Sequence, residues 1–540
     1  MTNATARTGA TTNGGTTTGA GSLLRFMLRR ERFGLPWWLL GITFLWTYQS
    51  VGSQSLYDTP EKLARLRGTL GGNAALVAMS GPKELLDTIG GEVVFEIFAY
   101  AAVVVALMNM FLIGRHTRSD EDTGRAELIR SARVGRHAPL AAALGLAGLA
   151  NLAVAVLVFA GMAGTGLPVA GSLVVAGAVA GVGLTFAALT AVAVQFFESP
   201  RALYGAVGAA MGAAFMLRAA GDAGDGTLSW LSPFGWGQRT FPYVENRVWP
   251  LVLPIVATVV LVAIAFALQD RRDLGAGLLP TRPGRPTASW TLSSPLGLAW
   301  RLQRGALIGW SFGLLLLGVA YGSFTDAIEQ YIADNPEVAN FFPGGATNIV
   351  NSYLAFTMLF LALITTAYGV SSALRARGEE TSGRAEPVLA TPTSRGSWLA
   401  SHLVVAIAGS AVVLLAGGLG EGLAYAQAIS DPSQITRMMG VALVYVPAVW
   451  IVIGLAVLGF GWLPRAAAAI AWTALGLCFF VALFADLVHL PAWLRNASPF
   501  AQTPEAPLER VTATPLLGIA AVVAVLLVTG FVGFRRRDIG

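Results

Sequence analysis

The chain alternates between apolar runs of about twenty residues and shorter polar stretches. Twelve such runs stand at about 35–53, 93–114, 138–163, 168–196, 201–221, 249–269, 305–324, 349–374, 398–424, 439–462, 466–488 and 515–534. A run of this length, coiled as a helix, spans the roughly 30 Å of hydrocarbon in a bilayer. Within lipid the backbone has little choice, because each unpaired amide costs several kcal/mol. The pattern predicts an all-α polytopic membrane protein with twelve transmembrane helices. Before the first run, residues 1–20 are rich in Thr, Gly and Ala and read as a disordered tail, with no cleavable signal peptide expected.

Composition agrees with that reading. Hydrophobic residues make up 55% of the 540, and charged residues only 12%, against about 25% in soluble domains. The single cysteine, Cys478, lies inside an apolar run; it excludes an intramolecular disulfide and reads as a packing residue. Placing both termini in the cytoplasm puts most Arg on the inner side or its loops and most acids outside or within spans, as the positive-inside rule favours. The basic balance is thus explained by membrane insertion and needs no nucleic acid.

The apolar pattern also repeats. Gly124-Arg125-Ala126-Glu127 returns as Gly383-Arg384-Ala385-Glu386, and nine residues after each Glu stands an arginine, Arg136 or Arg395. Ser232-Pro233-Phe234 returns as Ser498-Pro499-Phe500, each behind a Trp-Leu pair. Arg271-Arg272-Asp273-Leu274-Gly275 returns as Arg536-Arg537-Asp538-Ile539-Gly540. These matches keep their order relative to the spans. They divide the chain into a six-helix half at 21–269, a Pro/Gly/Arg-rich cytoplasmic linker at 270–297 and a second half at 298–540. An even helix number per half makes the repeats parallel. Each half opens on a basic stretch. In the first, Leu24, Phe26, Met27, Leu28 and Phe33 alternate with Arg25, Arg29, Arg30 and Arg32, which suits a helix lying in the inner interface.

The repeated loops, about 115–137 and 375–397, are the leading functional candidates. Glu121 and Glu380 precede Arg125 and Arg384 by four residues, a spacing that favours an ion pair on one helix face. Gly124 and Gly383 are placed to end one helix and cap the next, with Glu127 and Glu386 at its third position. Each loop therefore reads as a span prolonged beyond the membrane, a bend, and a short helix across the inner face.

The stretch "EETSGRAEPVLATPTSR" resembles the cytoplasmic coupling loop of ABC-2 type permeases, and the order of elements in each half is similar too. The fused twelve-helix form, poor in Lys and rich in Arg, Ala and Gly, resembles actinobacterial exporters of polyketide antibiotics and other drugs. The resemblance implies a permease subunit in the bacterial plasma membrane that moves hydrophobic or amphipathic small molecules outward. Its coupling residues would be Glu121, Gly124, Arg125, Glu127, Arg136, Glu380, Gly383, Arg384, Glu386 and Arg395. They would seat on two copies of a separate ATPase subunit, which would bind the ATP and Mg. The first loop lacks the prolines of "EPVLATPTSR", so unequal loops are expected. No P-loop is present: the lysines are Lys62 and Lys83, neither in a Gly-rich phosphate-binding pattern.

Charges within spans mark further candidates for a pathway or gate. Glu92 and Glu96 stand one turn apart at the outer end of the second span. Their alternatives are helix-terminus electrostatics and a site for a cationic substrate. Arg218 and Asp222, at i and i+4, read as a local ion pair, and Asp486 with His489 lies at similar depth. A twelve-helix, ion-gradient-driven transporter of the major facilitator type is the competing reading. It is disfavoured by loops of some 20 residues and by the lack of a charge near the midplane. A membrane-embedded enzyme would need clustered catalytic groups, whereas the four histidines (His116, His137, His402, His489) are scattered and no metal site is expected.

Overall fold

The computed structural model describes residues 16–57, 59–72, 74–273, 275–279, 286–325, 349–485 and 490–538. Among these there is no β-strand. Each of the twelve apolar runs lies on a long helix, numbered here α1 (Gly34–Leu56), α2 (Ile89–His116), α3 (Ala138–Gly164), α4 (Val169–Phe196), α5 (Pro200–Ala223), α6 (Val252–Gln269), α7 (Pro295–Gly322), α8 (Ile349–Ala373), α9 (Arg395–Ile429), α10 (Ser433–Trp462), α11 (Ala467–Phe484) and α12 (Ala513–Arg536). Ten are long and apolar enough to cross a membrane. Of the other two, α1 is diluted by Gln49, Ser50, Ser53, Gln54 and Ser55, and α11 is short. Helix starts follow local chemistry. Ser199-Pro200 and Ser294-Pro295 each set a hydroxyl acceptor before a proline whose missing N–H the first turn does not need.

The chain divides into two compact units, Met1–Pro283 and Gly284–Gly540. In the first, α4 is central and packs against α2, α3 and α6, while α1 packs on α2 and α3. In the second, α10 packs against α8, α9 and α12, and α7 packs on α8 and α9. The same helix pairing recurs at the same places in the order.

Small residues and paired amides hold these cores together, as they must where lipid competes for every apolar face. Asn109 of α2 and Asn151 of α3 exchange amide hydrogen bonds of 3.1 and 2.7 Å. Each also donates to the carbonyl four residues back, Val105 or Ala147. They fit because Gly183 of α4 leaves room: a Cβ there would lie 1.9 Å from Asn151 Oδ1. In the second unit α7 crosses α9 backbone to backbone. A Cβ on Gly318 would stand 2.1 Å from the Gly417 carbonyl oxygen, and one on Gly322 would stand 2.2 Å from that of Glu421.

One expectation fails here. A separate helix, Ala20–Glu31, precedes α1, but the second half has no such break, and α7 runs unbroken from Pro295 to Gly322. The reason is local. The first half carries Gly34-Leu35-Pro36, which starts a fresh helix, whereas no proline follows Pro295 within α7.

Candidate functional site

In each half the second long helix is prolonged past its apolar run and then bends. After α2 come short helices Arg118–Asp122 and Arg125–Arg130; after α8 come Arg375–Thr381 and Ala385–Leu389. Gly124 and Gly383 make the bends at φ +72° and +69°, a left-handed conformation that favours glycine. Gly124 caps the next helix and puts Glu127 at its third position, as expected. In the second loop the cap is Arg384, so Glu386 falls one position earlier.

The expected i,i+4 ion pairs do not form. Arg125 lies 3.8 Å from Asp120, and Arg384 lies 3.9 Å from Glu379. Glu121 and Glu380 are taken instead by arginines far along the chain, Glu121 together with the buried Arg118 at 2.7 Å. Arg272 Nη2 and Nη1 donate to Glu121 Oε1 and Oε2 at 2.7 and 3.0 Å. Arg537 Nη1 and Nη2 donate to Glu380 Oε1 and Oε2 at 2.7 and 2.6 Å. Both are forked, two-bond pairs, the strongest geometry open to arginine and carboxylate. Both are largely shielded, with side-chain exposures of 5–17%, so a local pair with an exposed arginine cannot compete.

Two further arginines complete each anchor. Arg136, at the start of α3, donates to the carbonyls of Gln269 and Arg272 at the end of α6 (2.8 and 3.0 Å). Arg395, at the start of α9, donates to the Arg537 carbonyl beyond α12 (3.0 Å). Helix ends leave such carbonyls without partners, and a cationic donor suits them. Arg118 reaches the Val194 carbonyl near the end of α4 and that of Gly275 beyond α6, while Arg377 reaches the Pro464 carbonyl just past α10 (2.6 Å). Each loop is thereby fastened to the ends of the fourth and sixth helices of its own half.

The two halves brace this arrangement differently. Helix Ala20–Glu31 covers the first loop: Arg30 pairs with Asp120 at 2.8 Å, and Glu31 holds both Arg115 (2.8 Å) and His116 (2.9 Å). The His116 hydrogen bond, with the Arg115 charge, keeps the Glu31 carboxyl below its usual value against the opposing effect of burial. Beneath lies a cavity of about 30 Å³ between Met27, Asp120, Ile129 and Arg272, room for a single water. The second loop rests instead on aromatics. Phe534 stacks between Trp398 and Phe460 (5.8 and 5.3 Å), and the Arg537 guanidinium lies over both Phe460 and Phe534 (4.8 and 5.1 Å).

Arg125, Glu127, Arg384 and Glu386 take no part in the forked anchors and are exposed, as is the apolar Leu128. The ten loop residues therefore separate into three sets. Glu121, Arg136, Glu380 and Arg395 bind the loop to its own half, Gly124 and Gly383 shape it, and the other four face outward.

The intramembrane candidates also prove more connected than expected. Glu92, in the first turn of α2, is fully buried, and neither carboxylate oxygen has a hydrogen-bond partner among the described residues. Glu96 accepts from Gln49 of α1 at 2.7 Å. Arg218 and Asp222 do face each other at 3.6 Å, but Asp222 also takes Arg239 (3.0 Å) and Ser229 (2.6 Å). Arg218 donates to the Met79 carbonyl at 3.0 Å. Asp486 and His489 lie outside the described residues. His116 and His137 are not isolated, since each meets an acid, Glu31 or Asp270. No group of three metal-binding side chains occurs among the described residues.

Sequence reading passed over Arg118, Arg272, Arg377 and Arg537 as partners, although the Arg-Arg-Asp repeat that contains two of them was visible. It also passed over Glu421 on α9, which is fully buried and accepts from the Thr357 hydroxyl of α8 at 2.6 Å. One acid in so apolar a run leaves the hydropathy pattern intact, so only its burial reveals it.

Comparison with known proteins bears on this arrangement. Residues 292–535 match the family model of the multidrug efflux system permease Rv1217c, C-terminal domain. The chain is 39% identical over 526 residues to the multidrug efflux system permease protein Rv1217c of Mycobacterium tuberculosis, covering 97% of this chain and 95% of that protein. Two fastened loops on a duplicated six-helix frame, matched along nearly the whole length, lead to one assignment: the chain belongs to the family of ABC-2 type multidrug efflux system permeases.

Proposed function

We propose that the chain is the membrane subunit of an ABC exporter that moves hydrophobic or amphipathic drugs out of the cell. ATP and Mg are bound and used in two separate ATPase subunits. These dock on loops 115–137 and 375–397, on the cytoplasmic side of the bacterial plasma membrane, where both termini also lie. The observation that carries this reading is the fastened loop, present twice, with Arg125 and Glu127 or Arg384 and Glu386 turned outward from a rigid seat. A loop that served only to set topology would need neither the forked anchor nor its repetition. The kind of cargo follows from the name of the Mycobacterium tuberculosis relative, a multidrug efflux permease.

Purification of the chain from its native membrane, with mass spectrometry of what accompanies it, tests the proposal. An ABC ATPase is expected, and reversing the exposed charges together (Arg384→Glu with Glu386→Lys) is expected to release it. Drug efflux by the isolated chain in ATPase-free vesicles, driven by an ion gradient, would refute it.

A further inference from the structure

The anchors say which helix answers when a loop is pushed. Each loop has two independent connections to the end of the sixth helix of its half. One is the forked pair Glu121–Arg272 or Glu380–Arg537, and the other is the cap from Arg136 or Arg395 onto the last carbonyls. It also touches the end of the fourth helix region through Arg118 or Arg377. The fourth and sixth helices differ sharply in how firmly their own half holds them. The apolar window of α4 is 72% buried and that of α10 is 67%, against 11% for α6 and 22% for α12.

Moving α4 or α10 would disrupt close-packed contacts on every side, and packed interiors resist displacement. α6 and α12 are held mainly on one face, by α4 or α10, so each can turn along that seam and leave its other faces undisturbed. A force on the loop therefore finds the sixth helix free to follow and the fourth helix fixed. Stretching the forked ion pair is the costly alternative, because a shielded carboxylate would lose its two-bond partner, leaving Glu121 with Arg118 alone.

We infer that the sixth helix of each half, α6 or α12, is the output lever of its loop, joined to it by Arg272 or Arg537 as positioning residues and turning against the fixed end of α4 or α10. The inference rests on the proposed ATPase coupling. It gives roles to two arginines that follow the last span of each half, remote in sequence from the loops they serve. It also separates the functions within each loop: outward residues govern whether the ATPase binds, and the anchor governs whether binding moves a helix.

The test needs no knowledge of the drug. In the full chain with its co-purified ATPase, Cys478→Ala removes the native thiol. A spin label is then placed either at Val532→Cys near the end of α12 or at Leu463→Cys just past α10, both exposed positions. Addition of ATP with vanadate is expected to shift the Val532 label and leave the Leu463 label unchanged. Arg537→Glu is expected to shrink the Val532 shift at least about fivefold with the ATPase still bound and hydrolysing. Glu380→Arg combined with Arg537→Glu is expected to restore it. Should the charge reversal fail to accumulate, Glu380→Gln, which keeps the side-chain shape, takes its place. A Val532 shift that survives loss of the ion pair, or equal shifts at both labels, would overturn the lever. Absence of any bound, ATP-hydrolysing subunit in the unsubstituted chain would overturn the coupling reading beneath it.

Discussion

At the scale of single residues, the polar side chains that matter are those whose partners come from elsewhere in the fold. Asn109 and Asn151 are fully satisfied by each other and their own helices. Asn109→Leu strands the Asn151 amide in an apolar core and should cost about 1–2 kcal/mol. The Asn109→Leu/Asn151→Leu pair should recover most of that, as read from melting in detergent. Glu31 makes a pH-dependent contribution. Its carboxyl titrates below the usual 4.5 because His116 and Arg115 favour the charged form. That stabilisation is complete above the unfolded value and is lost as pH falls through the lower, folded one. Protection of the Ala20–Glu31 amides, measured against the intrinsic exchange rate at each pH, should therefore fall as the pH drops below about 4.5, and in a Glu31→Gln variant it should be low throughout. The fate of Glu121 shows what a sequence can hide. Its spacing to Arg125 was plain, but Arg272, 151 residues away, and the buried Arg118 hold it, because shielded partners outcompete an exposed neighbour.

At the scale of elements, helix existence was legible because hydrocarbon imposes one pattern on every span, while limits outside the hydrocarbon, as at Pro295 and Ser433, were not. The loops were legible because the chain writes them twice. What pattern could not supply was the closeness of helix crossings, which depends on what faces each glycine. On α7, a side chain at Gly318 would meet the Gly417 carbonyl at 2.1 Å, while Gly309 and Gly313 have nothing within 4 Å. Gly318→Val should cost at least about 1–3 kcal/mol, since backbone rather than a pliant side chain stands in the way. Gly313→Ala should stay within about 0.5 kcal/mol. Equal losses in the two variants, measured by thermal melting, would contradict the close crossing of α7 and α9. The unbroken α7 has the same lesson. A basic, amphipathic start looked alike in both halves, and one proline decided whether it became a separate helix.

At the scale of the whole molecule, duplication has kept the anchor and let its bracing diverge. The first loop is held down by a charged N-terminal helix and the second by a stack of Trp398, Phe534 and Phe460. Removing residues 16–31 should therefore raise amide exchange across 118–130 about tenfold or more and leave 375–389 unchanged. Similar exchange in both loops would mean that the N-terminal helix braces neither in particular. The expectation of unequal loops came from their sequences, and the structure adds where the inequality lies: beneath the loops as well as in the residues they display.

The forked pairs have one more consequence, and it concerns manufacture. A ribosome makes Glu121 151 residues before Arg272, and Glu380 157 residues before Arg537. In each half the acid waits without its forked partner, Glu121 having only Arg118 beside it, until the final helix has been threaded into the bilayer and its trailing arginine released. A half-built or mis-inserted bundle thus lacks the tie between its loop and its sixth helix. The clasp makes the fastening of the loop contingent on the last helix being in place, so each half inspects its own completion.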